Sequence, residues 1–153
     1  MDLLEFNEKV SALATAKMPF FFLIDFELQK PIVCPLKEAK KMGFEFEIRG
    51  FRNFDKQNIN LSQSHLSVAP VTKAVYAHAY KKVIDEIYKG NTFLLNLTFP
   101  SAIRNTLQLK DVFHYAKAPY KLLHKDRFVV YSPECFIKIK DGYIYSYPMK
   151  GTI

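Results

Sequence analysis

The sequence predicts an α+β fold of mostly antiparallel sheets packed with helices, on three observations. Helical and strand-like periodicities follow one another irregularly, without the strict strand–helix repeat of a parallel sheet. The last third is a run of short apolar segments joined by tight turns, the pattern of antiparallel hairpins. Gly is scarce, 5 in 153 residues, and no GxGxxG or GxxxxGK[ST] string occurs, so a doubly wound nucleotide fold has no support.

The elements follow in order. Leu3, Leu4, Phe6, Val10, Leu13 and Ala14 recur at helical spacing, Asp2 can cap the start and Pro19 ends the pattern, which predicts a helix over 2–16. Phe20 to Phe26 is a continuous apolar run of strand length and reads as a buried strand. Pro31 to Cys34 is a shorter strand, and a brief helix over 36–42 stops at Gly43. Phe44 to Arg49 alternates apolar and polar residues, so a strand with one wet face is expected. Residues 53–66, with Asn53, Asp55, Asn58, Asn60 and Ser62, read as an exposed loop.

Thr72 can cap a second long helix whose apolar face is Val75, Tyr76, Ala79, Tyr80, Val83, Ile84 and Ile87, with Gly90 at its end. Thr92 to Phe99 then reads as a central, core strand. A third helix covers 109–117 and breaks at Pro119. Strands are expected over 120–124, 127–131, 134–140 and 143–147, the last two joined by an Asp141-Gly142 turn.

Bulk properties narrow the function classes. Hydrophobic residues make up 49% of the chain and aromatic residues 15%, enough for a packed core. Net charge is +7, but the lysines are scattered and the only adjacent pairs are Lys40-Lys41 and Lys81-Lys82. A basic arm for nucleic acid would hold its charge in blocks, so no nucleic-acid partner is expected; a solvated surface comes first and an acidic small molecule second. Cys34 and Cys135 show no metal-ligand spacing and lie in apolar runs, so both are expected as buried free thiols. His65, His78, His114 and His124 fit no triad or ligand spacing and are expected as surface or satisfied core histidines. The start of the chain has neither a basic n-region nor a long apolar stretch, so no membrane is expected and the cytoplasm is the default compartment.

Three blocks carry a resemblance. The first is Ile87-Tyr88-Lys89-Gly90-Asn91-Thr92-Phe93-Leu94-Leu95-Asn96-Leu97-Thr98, the second Ser132-Pro133-Glu134-Cys135-Phe136, and the third Pro148-Met149-Lys150-Gly151-Thr152. In order and spacing they resemble the I-x-x-G-D-I-F-Q-V-N-L-S, S-P-E-x-F and P-I-K-G-T segments of the chorismate-binding enzymes. The resemblance is clear over 72–153. It implies that 1–153 is a single partial domain, the N-terminal part of the chorismate-binding enzyme fold. Within that family a lysine before Gly-Thr marks the aminodeoxychorismate synthase component I (para-aminobenzoate synthase component I) branch of folate biosynthesis. Anthranilate and isochorismate synthases usually have Ala there. Leu94 stands where isochorismate-type members place a water-activating lysine, and an apolar side chain cannot be that base.

The resemblance implies that Lys150 is the catalytic nucleophile, that Gly151 and Thr152 contact the substrate, and that chorismate plus ammonia gives 4-amino-4-deoxychorismate, a transferase-type amination. A nucleophilic lysine must be deprotonated, which burial or a neighbouring cation can bring about. The family further implies Mg²⁺ on a ring carboxylate and a glutamine amidotransferase subunit supplying ammonia. Its metal-binding glutamates and acid/base histidine follow the Lys150 block and have no counterpart here, so no metal ligand is assigned and the chain alone is expected to be inactive. A structural turn is preferred to a catalytic Glu134 for the second block. A tryptophan site, which some members carry, is not expected: its Leu-Glu-Ser-like motif is absent, and Ala118-Pro119-Tyr120 matches only part of its second segment. The competing readings are an anthranilate synthase component I-like enzyme, a non-catalytic module that self-associates through uncovered sheet edges, and a basic nucleic-acid binder.

Overall fold

The computed structural model describes residues 1–60, 65–132, 135 and 137–147, with the backbone alone at Asn105. In chain order they form α1 (Leu3–Thr15), β1 (Phe20–Leu23), β2 (Ile32–Pro35), a 3-10 turn (Leu36–Glu38), β3 (Phe44–Ile48), β4 (Phe51–Arg52), β5 (Leu66–Ala69), α2 (Lys73–Tyr88), β6 (Ala102–Asn105), α3 (Leu109–Tyr115), β7 (Tyr120–His124), β8 (Phe128–Tyr131), β9 (Ile137–Lys140) and β10 (Tyr143–Ser146). The mixture of helices and antiparallel sheets is the α+β class expected. It falls into two units: Met1–Asn60 with Leu109–Pro133, and Leu61–Gln108 with Glu134–Ile153.

The first unit is built around a four-stranded antiparallel sheet of order β4-β3-β7-β8. The register is set by Phe44 opposite His124 and Ile48 opposite Tyr120. On one face Phe44 and Phe46 meet the β1–β2 hairpin, with the Phe21 ring 4.8 Å from Phe44 and 5.7 Å from Phe46. Cys34 and Ala39 complete that buried cluster. On the other face Leu123 packs with Phe54 and with Phe113 of α3. Outside the hairpin, Phe6 of α1 meets Phe22 edge-on at 6.4 Å.

The caps anticipated from sequence form. Asp2 accepts from the Glu5 N–H at 2.8 Å, satisfying one of the free donors at the start of α1. The helix ends in a paired-bond terminus, Met18 N–H to Leu13 O and Lys17 N–H to Ala14 O. The residue in the left-handed position there is Lys17, at φ +51°. α2 ends the same way, with Asn91 N–H to Glu86 O, Gly90 N–H to Ile87 O, and Gly90 at φ +77°.

Several expectations are corrected. β1 stops at Leu23, not Phe26, and is only partly buried. The Asp25 carboxylate captures the backbone N–H groups of Gln29 and Lys30, which folds the chain back and leaves Phe26 fully exposed. The helix over 36–42 is only a 3-10 turn, Leu36–Glu38, followed by turns up to Gly43. The Glu45/Glu47 face of β3 is not wet, because α3 covers it.

Nor is 53–66 wholly an exposed loop. Phe54 is buried, β5 begins at Leu66, and Asn53 extends the sheet edge with its side chain: Nδ2 donates to Phe44 O at 2.8 Å and Oδ1 accepts from Phe46 N–H at 2.9 Å. Cys34 is buried, and burial followed by the charge of Glu38 pushes its thiol up. Cys135 is only half-buried.

In the second unit, β5 pairs with β6 and β9 with β10, each pair antiparallel. Asp141 and Gly142, at φ +54° and +78°, form the expected two-residue turn. β6 was not anticipated. Residues 92–99 are not a strand, and Phe93, Leu94 and Leu95 are exposed, contrary to the core reading. A strand needs a ladder partner for its backbone groups, and no described residue pairs with this segment. The apolar face of α2 is only partly covered: Val75, Tyr76 and Tyr80 are exposed, whereas Ala79, Val83, Ile84 and Ile87 are half-buried.

Candidate active site

The first motif block lies on the end of α2, the Gly90 turn and the extended segment after it. Glu86 holds the turn from within: its carboxylate accepts from Lys89 Nζ at 2.7 Å and from Asn91 Nδ2 at 2.5 Å. Those contacts, the Lys89 bond first, hold the Glu86 carboxyl below its ordinary value. Beyond the turn Thr92 Oγ1 donates to Leu94 O at 3.0 Å. Leu94, in the position that would carry a base in isochorismate-type enzymes, is 63% exposed.

Of the second block, Ser132 adopts φ +44°, with its N–H donating to Tyr120 O at 2.7 Å. Cys135 Sγ lies 3.7 Å from Ile137 O. Pro133, Glu134 and Phe136 fall outside the described residues, as does the whole third block with Lys150, Gly151 and Thr152. Tyr147, just after β10, is the last described residue before them.

Three concave sites among the described residues lie in the first unit, the smallest, of about 450 Å³, between the end of α1 and β4. A cavity of about 600 Å³ opens between the β1–β2 hairpin and the sheet, walled by apolar residues such as Phe21, Phe46 and Leu122, with Asp25, Lys30 and Arg127 among its polar members. Tyr120 also lines it, and Arg49 Nε donates to the Tyr120 hydroxyl at 2.7 Å. The backbone donors of Lys30 and Gln29 hold the Asp25 carboxyl below the usual range.

A second cavity, about 570 Å³, lies beside the end of α3 and is lined by Glu47, His114 and Lys121 among others. Lys121 is buried there. Its Nζ donates to Phe113 O at 2.9 Å and Ala116 O at 3.1 Å, lies 3.7 Å from Glu47 Oε2, and sits 4.7 Å from the Phe113 ring centroid. A cation at the negative end of a helix is favoured, and two carbonyl acceptors, the Glu47 carboxylate and the Phe113 ring offset its desolvation.

His114 Nε2 lies 3.1 Å from Glu45 Oε2, yet the groups are out of line and neither ring nitrogen makes a hydrogen bond within the protein. Burial, first among the causes, pulls the imidazole below its ordinary pKa, and the Glu45 charge opposes the shift without overcoming it. His114 is thus a neutral core histidine, but not a satisfied one. His65 and His78 are at the surface, and His124 is half-buried against Phe44. The sequence signal for this polar cluster was the pair Glu45 and Glu47 at strand spacing, which alternation alone cannot tell from a solvated face.

Among the described residues no group of three or more His, Cys, Asp or Glu could hold a metal ion, so these residues do not fit Mg²⁺. Among them, too, no helix is long and apolar enough to cross a membrane.

Residues 27–153 match the family described as chorismate binding enzyme. The chain belongs to that family. It is 46% identical over 154 residues to an uncharacterized PabA-like protein of Pasteurella multocida, with all of this chain and 48% of the relative covered. It is 43% identical over 152 residues to an uncharacterized PabA-like protein of Haemophilus influenzae, with 97% of this chain and 45% of the relative covered. The chain thus spans about half the length of these two relatives. No solved structure matches it.

Proposed function

We propose that the chain is one half of a component I of aminodeoxychorismate synthase, the enzyme that turns chorismate and ammonia into 4-amino-4-deoxychorismate. The single observation that carries this reading is the Pro148-Met149-Lys150-Gly151-Thr152 block at the end of a stretch matching the family over 27–153. Leu94 supports it by excluding a water-activating lysine at that position.

In this reading the neutral amine of Lys150 attacks C2 of the ring. The Nζ–C2 bond forms, the double bond shifts, and the C4 hydroxyl leaves as water after taking up a proton. Ammonia then bonds to C4, the double bond shifts back, and the Nζ–C2 bond breaks to release the lysine. Two easier substitutions replace one difficult one. Gly151 lets the backbone approach the substrate, and the Thr152 hydroxyl donates to a substrate oxygen. Mg²⁺ bound outside this chain would neutralise a ring carboxylate, and a glutamine amidotransferase would supply the ammonia. The 153 residues alone would make no product, and the compartment would be the cytoplasm.

The test takes a full-length protein that contains this sequence, with chorismate, Mg²⁺ and ammonium, and identifies the product. Aminodeoxychorismate supports the reading, and anthranilate rejects it. Lys150→Ala should abolish a lysine–substrate adduct detectable by mass spectrometry. Undiminished turnover in that variant would remove Lys150 from the mechanism.

A further inference from the structure

We propose that this chain pairs with a second copy of itself through its first unit: the Asp25–Leu28 loop of each copy seats Phe26 in the groove between the end of α1 and β4 of the other. This surface lies outside the three motif blocks, and the pairing holds whichever product the enzyme makes.

The loop projects apolar side chains from a fixed turn. The Asp25 carboxylate accepts from Gln29 N–H at 3.2 Å and Lys30 N–H at 2.6 Å, and Leu28 N–H donates to Asp25 O at 3.0 Å. These bonds hold Leu28 in the left-handed region, at φ +57°. A turn already held in one shape loses little further freedom on binding. At its tip Phe26 is fully exposed and Leu28 is exposed, with Glu27 between them in no ion pair with a described residue.

The groove has the complementary make-up. It holds about 450 Å³, and its walls are largely apolar, with Met18, Pro19, Pro35 and Phe51 among them. Met18 and Phe51 are exposed. Lys37 and Arg52 also line it, and neither forms an ion pair with a described residue. Residues 35–42 carry Lys37, Lys40 and Lys41 against a single acid, Glu38. The volume admits a phenyl ring and a leucine side chain together. Glu27 beside them then meets cations that have no other partner, so charge as well as polarity matches.

Loop and groove sit at opposite ends of the β1–β2 hairpin. The loop joins Leu23 to Ile32, which pair at one end, while Pro19 and Pro35 lie at the Phe20–Pro35 end. β1 is four residues long, which is about 10 Å of strand. A copy therefore cannot fill its own groove with its own Phe26. Two copies related by a two-fold axis, with their hairpins side by side and antiparallel, set each loop against the other's groove. Both contacts then form in one encounter, and the second costs no further translational freedom. A loop from an unrelated protein would make only one.

Sedimentation equilibrium of the 153-residue chain between about 1 and 300 μM, the range suited to a contact this small, should show its mass rising from one copy to two. Glu27→Lys sets a cation against Lys37, and Lys37→Glu sets a carboxylate against Glu27, so each should weaken the pair by about 10-fold or more. Mixed one to one, these two variants should pair about as tightly as the unaltered chain. One contact in the mixed pair is the original one, and the other is reversed in sign but still attractive. Phe26→Ser should weaken the pair to a similar degree at any salt concentration. All three positions are exposed, and circular dichroism checks that each variant is folded. A chain that stays a single copy throughout the range overturns the proposal. So does self-association that all three variants leave untouched, or a mixture of Glu27→Lys and Lys37→Glu that pairs no more tightly than either alone.

Discussion

His114 and Glu45 stand 3.1 Å apart in the first unit, joining the last turn of α3 to the middle of β3, and His114 is held neutral there by burial. Its folded pKa lies below the ordinary 6.5, so between those two values the unfolded chain binds more protons than the folded one. Stability contributed by this site is complete above the ordinary value and falls as pH drops through that window toward the folded pKa. Urea midpoints measured between about pH 5 and pH 8 should therefore decline on the acid side. His114→Gln should reduce the slope. Part of what remains belongs to His124, whose pKa is lowered first by burial and then by Arg127, and at the acid end to the lowered carboxyls of Glu86 and Asp25. An unchanged slope in the variant would refute the assignment.

Lys121 is the cap of α3. Lys121→Met keeps most of the stem volume but strips Phe113 O and Ala116 O of the donor at 2.9 and 3.1 Å, and leaves Glu47 without its cation. The expected loss is about 1–3 kcal/mol in chemical denaturation. Adding Glu47→Gln should recover part of it, because the second change removes an unpaired carboxylate. Additive losses in the double variant would show that the two side chains do not interact.

Asn53 works as a stretch of backbone. Asn53→Ala removes both bonds to the edge of β3 and should cost about 1–2 kcal/mol. Asn53→Asp should do no better, since it keeps an acceptor for Phe46 N–H but sets a carboxylate oxygen against Phe44 O. Thermal unfolding of the two variants checks the order.

Lys17 and Gly90 occupy the same left-handed position at the ends of α1 and α2, at φ +51° and +77°. Only glycine adopts it without a steric penalty. Lys17→Gly is therefore expected to stabilise the protein by about 0.5–1 kcal/mol. A drop in melting temperature would show that the lysine stem contributes packing that outweighs its backbone strain.

The legible parts of the fold were those decided locally. The Asp2 and Thr72 caps, the Gly90 terminus, the Asp141-Gly142 turn and the strands β3, β7 and β8 all follow from residues within a few positions of each other. The misreadings share a non-local cause. Glu45 and Glu47 look solvated until α3, more than 60 residues later, lies over them. Asn53 looks like a loop residue until its amide replaces a strand's backbone. Thr92 to Phe99 has the composition of a strand but no ladder among the described residues, and composition carries no information about the partner. In the candidate site, the motifs name Lys150, Gly151 and Thr152, whereas the buried cluster of His114 and Lys121 has no motif and emerges only from packing.

The β3–β7 pairing has a temporal consequence. Phe44 to Ile48 meets Tyr120 to His124 only after the polypeptide between them has been made, and most of that polypeptide belongs to the other unit. On the ribosome, the first sixty residues must wait with one edge of β3 unpaired and Phe54 without Phe113 and Leu123 until the returning segments emerge. Closing so long a loop is entropically costly, and non-local strand pairing is slow. The nascent chain is therefore at its most vulnerable to aggregation and to chaperone capture during that delay.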